Sequence, residues 1–260
     1  MMRVSAILMV LAFLGCSAVA VAEVALQSFE ADKIEGGRIL TVERTAVALY
    51  GVRMLEKARD PDSYKAAQKF LRDSFEVPRF QLDVSSFQEQ GVGENRYGDL
   101  HGKILLANDL WLQEELIANG YGFWSGAANY PPNLRRILVR AEHVAEIKRL
   151  GLWQRFAIID ANRPPVQRWD GQFVIAQGVV QDVYRSASTT YLNFGQNWRE
   201  DFTAAIPARS RKKFERQGWK LNDLKNKSIT IRGLVRFYNG PYLELEFPEQ
   251  LEIDEAAGEE

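Results

Sequence analysis

Apolar residues recur along this chain at two spacings, and the alternation between them marks out two β-rich units. Runs of strand length come first: Arg38-Ile-Leu-Thr-Val42, Ala46-Val-Ala-Leu-Tyr50, Phe80-Gln-Leu-Asp-Val84 and Lys103-Ile-Leu-Leu-Ala107. Helical spacing is interleaved with them. Asp60 can cap a helix whose first position is Pro61, and Tyr64, Ala67, Leu71 and Phe75 then fall on one helical face. A second helix is predicted over 109–119, ended by Gly120 in the left-handed conformation, and a third over 133–150, stopping at Gly151. The second half predicts strands at 173–184, 189–194, 202–206, 228–237 and 242–247, with a helix over 209–217 closed by Gly218. Five strands with a helix between the third and fourth is the OB-fold order, and Asn239-Gly240-Pro241 is a hairpin turn joining the last two.

The N-terminus follows neither spacing. Arg3 precedes an apolar run from Ala6 to Leu14, then Gly15 and small residues lead to Ala20-Val21-Ala22 before Glu23, the layout of an export signal. We expect residues 1–22 to be cleaved and the rest to be exported, periplasmic or secreted, with no membrane span left. Two alternatives stand. One is an uncleaved anchor, since residues 4–22 approach the roughly 20 needed to span a bilayer. The other is a lipoprotein through Cys16, although Phe13 and Leu14 replace the aliphatic and small residues of a lipid-attachment box.

Cleavage changes the available chemistry. Cys16 is the single cysteine, so the mature chain has no thiol, and with only His101 and His143 a Cys/His zinc site is excluded. Any metal would need oxygen ligands. Each histidine stands alone and reads as a surface or capping residue. The mature chain carries 32 basic and 34 acidic residues, a net −2, which argues against a protein living by sequence-independent DNA binding. Asn162-Arg163-Pro164-Pro165 reads as a short stiff linker near 160–168, between one domain over 27–155 and another over 170–253. Residues 254–260 are acidic and read as a disordered tail.

Five segments carry a resemblance. Val47-Ala-Leu-Tyr-Gly51-Val-Arg-Met-Leu-Glu56, the helix with Ala67, Phe70 and Leu71, Arg96-Tyr-Gly98, Leu116-Ile-Ala-Asn-Gly120-Tyr-Gly, and Ala141-Glu142 with Gly151-Leu-Trp153 resemble, in order, motifs of the thermonuclease, or staphylococcal-nuclease-like, family. The resemblance implies a mainly β fold with helices (α+β), a staphylococcal-nuclease-like OB-fold barrel, to which the second half adds a small OB-like β-barrel domain. The second half is similar in architecture to an extension on some exported members.

The family's chemistry is in-line attack on a phosphodiester, with oxygen-bound calcium, two phosphate-binding arginines and a glutamate as general base. Carried over by motif, only the glutamate remains, as Glu56. Ala48 and Asp99 stand at the arginine positions, and Arg53 and Gly37 at metal-binding aspartates. Loss of one positioned donor typically costs about 100- to 1000-fold in rate, while a general base supplies roughly 100- to 10,000-fold. The resemblance therefore implies a degenerate site in which Glu56 reverts to a solvated acid near a helix start. No cofactor is expected, and calcium only if an atypical nuclease survives, with Arg53 on phosphate and Glu35, Glu94 and Asp99 on the metal.

Aromatics of the second unit, Tyr184, Tyr191, Phe194, Trp198, Phe237, Tyr238 and Tyr242, accompany Arg185, Arg199 and the run Arg209-Ser-Arg211-Lys212-Lys213. Stacking aromatics beside a basic groove would suit a single strand, but alternate strand positions must also fill the barrel, and the basic run can be a solvated helix face. Two function classes remain: a non-catalytic binding or structural module for nucleic acid or an envelope protein, and an atypical metal-dependent nuclease acting on DNA or RNA. For the first, calcium leaves the melting temperature of residues 23–260 unchanged; a calcium-dependent rise in a thermal melt would favour the second.

Overall fold

The computed structural model describes residues 26–163, 170–197, 200–237 and 239–254. The export segment with Cys16, the Pro164-Pro165 pair, Trp198, Arg199, Tyr238 and the 255–260 tail lie outside the described residues. Among the described residues no helix is long and apolar enough to cross a membrane.

The first unit is a curled antiparallel sheet with helices against it. β1 (Leu26–Glu35) turns at Gly36-Gly37 into β2 (Arg38–Thr41), which pairs with β3 (Ala46–Ala48); a tight turn leads to the short β4 (Val52–Arg53). On its other side β1 pairs with β5 (Arg79–Asp83), and β5 with β6 (Lys103–Leu106). The two edges are tied together, because Ala48 N–H donates to Leu100 O at 2.9 Å and Leu100 N–H to Ala46 O at 2.8 Å.

The apolar pattern did not announce β1. Phe29 and Ala31 share a face, but the register shifts between Ala31 and Lys33, so the next apolar contact, Ile34, falls out of phase. The helices follow the pattern more closely. In α1 (Pro61–Ser74) the Asp60 carboxylate accepts from the backbone N–H of Asp62 and Ser63, and Ala67 and Leu71 are buried. A short α2 (Ser85–Glu89) buries Phe87, and α3 (Leu112–Ala118) starts later than its spacing predicts because Asp109 takes a left-handed φ of 62°. β7 (Phe123–Trp124) pairs with β4, and α4 (Pro132–Ile147) follows. Gly120 and Gly151, which end the last two helical patterns, meet: a Cβ on either would lie 2.2 Å from a carbonyl oxygen of the other's strand of chain, Leu150 O or Gly120 O.

The second unit has the OB order. β8 (Ile159–Asp160) runs parallel to β9 (Phe173–Val179); then come β10 (Asp182–Arg185), β11 (Thr189–Asn193), β12 (Thr203–Pro207), α5 (Ala208–Arg216), β13 (Ser228–Phe237), β14 (Pro241–Glu244) and β15 (Leu251–Ile253). The run predicted as one strand over 173–184 breaks at Val180-Gln181. Its first half pairs with β13 and its second with β11, and a parallel β12–β14 pair completes the circuit of strands.

The described residues of the joint, up to Arg163, are engaged with the second unit. β8 belongs to the second sheet, and the Asn162 amide accepts from Val179 N–H at 2.7 Å and donates to the carbonyls of Val179 and Phe194. One hydrophobic cluster contains Leu55, Phe123, Trp153 and Phe156 from the first unit with Phe173 and Ile175 from the second. Beside it Arg232 of β13, 2% exposed, donates through Nη1 to Glu142 Oε2 at 2.8 Å and to Trp124 O at 3.0 Å, and Glu142 Oε1 accepts Trp124 N–H at 2.7 Å. Burial drives the Glu142 carboxyl above its usual range, opposed by Arg232 and that backbone donor. Breaking such a pair from one side costs about 3–5 kcal/mol, whereas replacing both partners by apolar residues is far milder. Arg232→Met should therefore lose about that much in urea denaturation, and adding Glu142→Leu should recover most of it; a double variant no better than the single one would deny the pair this role.

Candidate functional site

The segment bearing the candidate catalytic residues is held by its glycine. Gly51 has φ 92°, and a Cβ there would lie 2.5 Å from the Tyr130 ring and 3.0 Å from Trp124. Beyond it, pairing of Val52 with Trp124 and Arg53 with Phe123 fixes which way each side chain leaves the strand. Arg53 emerges with its guanidinium 4.7 Å from the ring centroid of Phe173, and its Nη2 donates to Glu56 Oε1 at 3.0 Å. The exposures are 33% for the Arg53 side chain and 69% for Glu56, so the carboxylate faces solvent with a cation beside it. Arg59 lies over the Phe156 ring and donates to Phe173 O. A cleft of about 370 Å³ separates this segment from residues 171–173.

Close by, Leu49 N–H donates to Gly37 O at 2.9 Å, and Met54 reaches toward Gly37. Asp99 accepts from Arg38 Nε at 3.1 Å and from Asn95 Nδ2 at 3.0 Å. Burial pushes the Asp99 carboxyl upward, but Arg38 and Asn95 outweigh it and hold the group below the usual carboxylate range. Ala48, paired with Arg38 across the strands, spends its N–H on closing the sheet. The structure thus gathers the Gly37, Ala48, Arg53, Glu56 and Asp99 positions at one end of the sheet, with its cations already joined to its carboxylates.

Residues 46–155 match the family model described as staphylococcal nuclease homologue. This chain carries a domain of that family. No curated protein matches the chain. In the nuclease-homologue domain the motif residues divide by role. Gly51, Gly120, Gly151 and Glu142 serve packing, Glu142 through its bonds to Trp124 and Arg232. Of the oxygen ligands expected for a rearranged nuclease site, Glu35 is exposed and paired with Lys33 at 2.6 Å and Asp99 is bound by Arg38 and Asn95; among the described residues no three His, Cys, Asp or Glu side chains are grouped where they could hold a metal ion.

Two other readings change. His101 is a buried histidine, not a surface one: its Nδ1 lies 2.9 Å from Val92 O, its ring stacks on Tyr50 at 3.9 Å and 6°, and burial lowers its pKa. His143 is exposed on α4, 3.8 Å from Glu146. The basic run of the second unit is not a continuous cationic face. Helical geometry turns Arg211 inward with Ser210 and Phe214, where it donates to Thr190 Oγ1 and to the carbonyls of Ser186 and Ala187. Arg209 is held by Glu244 and Glu246, and Lys213 donates to Glu246 O and lies 4.0 Å from the Phe247 ring centroid; Lys212 projects into solvent.

Because folding lowers the Asp99 pKa, its stabilisation is complete above the unfolded carboxylate value of about 4 and fades as pH falls through the folded value. Asp99→Asn should cost about 1 kcal/mol at pH 7, after allowing for the exposure of Arg38, and less at an acid pH below the folded value. Denaturant titrations at the two pH values read this directly; an equal loss at both would assign the effect to packing.

Proposed function

We propose that this chain is an exported, catalytically degenerate staphylococcal nuclease homologue that acts as a binding or structural module. The observation that carries the proposal is the Arg53–Glu56 pair. The one carboxylate that the motif resemblance retains as general base has, 3.0 Å away, a guanidinium at the position where the family resemblance implies a metal-binding aspartate. A cation there repels a divalent metal, and Phe173 of the second unit flanks its other side. The export motif at residues 1–22 supports an extracytoplasmic place of work.

One feature favours a second reading, an atypical nuclease on DNA or RNA: Glu56 is exposed beside an open cleft. Incubating purified residues 23–260 with single- and double-stranded DNA and with RNA, in calcium or chelator, separates the two. The module reading expects no calcium-dependent cleavage. Cleavage that requires calcium and disappears in Glu56→Gln would establish the nuclease instead.

A further inference from the structure

We propose that the outward face of the second barrel binds a neutral glycan chain, in a groove floored by Tyr184, Tyr191 and Tyr242; this names the ligand class of the module proposed above and rests on that reading. The three tyrosines share a face by strand alternation. Val183, Leu192 and Leu243 point into the barrel core from β10, β11 and β14, so their neighbours Tyr184, Tyr191 and Tyr242 point out. Tyr184 and Tyr191 are direct cross-strand partners with rings 18° from parallel and centroids 6.2 Å apart, and Tyr184 is 59% exposed. They border a groove of about 660 Å³.

The polar groups of the groove decide the ligand. Asp182, Asn193 and Thr203 follow one another across neighbouring strands in a single register row that ends at Tyr242. That row offers carboxylate, amide and hydroxyl groups spaced by the strand separation of roughly 4.8 Å, beside an aromatic floor. A sugar ring presents complementary chemistry, an apolar C–H face for the tyrosines and a rim of hydroxyls for the polar row. A nucleic-acid strand would need cations along its phosphates. Among the described lining residues there is neither lysine nor arginine, and Asp182 adds a carboxylate whose charge is balanced by Lys225 at 2.9 Å. Besides Lys225, the nearby cations include Arg185, next to Tyr184 on β10, Arg236, opposite Tyr242 on β13, and Arg209, which Glu244 and Glu246 already hold.

Calorimetric titration of residues 23–260 with chitotetraose, cellotetraose and oligothymidylate, each at low and high salt, tests the assignment. We expect at least one tetrasaccharide to bind with a salt-independent affinity. Tyr184→Ala should weaken it about tenfold or more, with the melting temperature unchanged because the ring is exposed, and Tyr184→Phe should retain it. Absence of binding to either sugar, or binding indifferent to Tyr184→Ala, overturns the proposal, and salt-sensitive oligothymidylate binding would give the groove to nucleic acid. These failures leave the non-catalytic reading intact, whereas calcium-dependent cleavage overturns that reading whether or not a sugar binds.

Discussion

The contact on which the molecule turns is the buried ion pair between Arg232 and Glu142, which comes from opposite halves of the chain. Removing two charges from water carries a penalty of several kcal/mol per ion, offset only when geometry is good and the remaining donors and acceptors are satisfied. Here they largely are: Glu142 also takes the Trp124 amide, and Arg232 reaches the Trp124 carbonyl and Glu252. The arrangement is demanding, so it selects one docking of the two units. Trp124 Nε1 reinforces that docking by donating to Glu249 O across the same boundary.

That docking also shapes the nuclease-homologue site. With the second unit fixed, Phe173 is delivered to the guanidinium of Arg53, and its carbonyl to Arg59. Glycines at 51, 120 and 151 permit close backbone approach, while the charged side chains near Glu56 are joined in the pairs Arg53–Glu56 and Arg38–Asp99.

Much of the framework was legible because it depends on local rules. The Asp60 cap, Gly120 and Gly218 beyond the ends of α3 and α5, and the OB order of the second unit follow from residue type and spacing, whereas α4 ends at Ile147 with Arg149 left-handed, ahead of the predicted stop at Gly151. What was illegible depends on partners distant in sequence. β1 was hidden because a bulge broke its alternation and most of its side chains are exposed. Nothing in Asn162-Arg163 announces that the asparagine amide will be used by Val179 and Phe194. Of the site, the pairing of Asp99 with Arg38, 61 residues apart, could not be read from the sequence. The aromatics of the second unit divided as alternation requires, tyrosines 184, 191 and 242 outward and Phe194 inward, but alternation alone does not say which parity faces the core.

The shared cluster of Leu55, Phe123, Trp153, Phe156, Phe173 and Ile175 has a bearing on how the chain is divided into parts. Residues 46–155 match one family model, and a second β-rich unit follows them. The two units share one dry interior, to which the first brings Leu55, Phe123, Trp153 and Phe156 and the second Phe173 and Ile175, and separation would expose aromatic rings on both. The unit that buries this cluster is therefore larger than the stretch the family model matches.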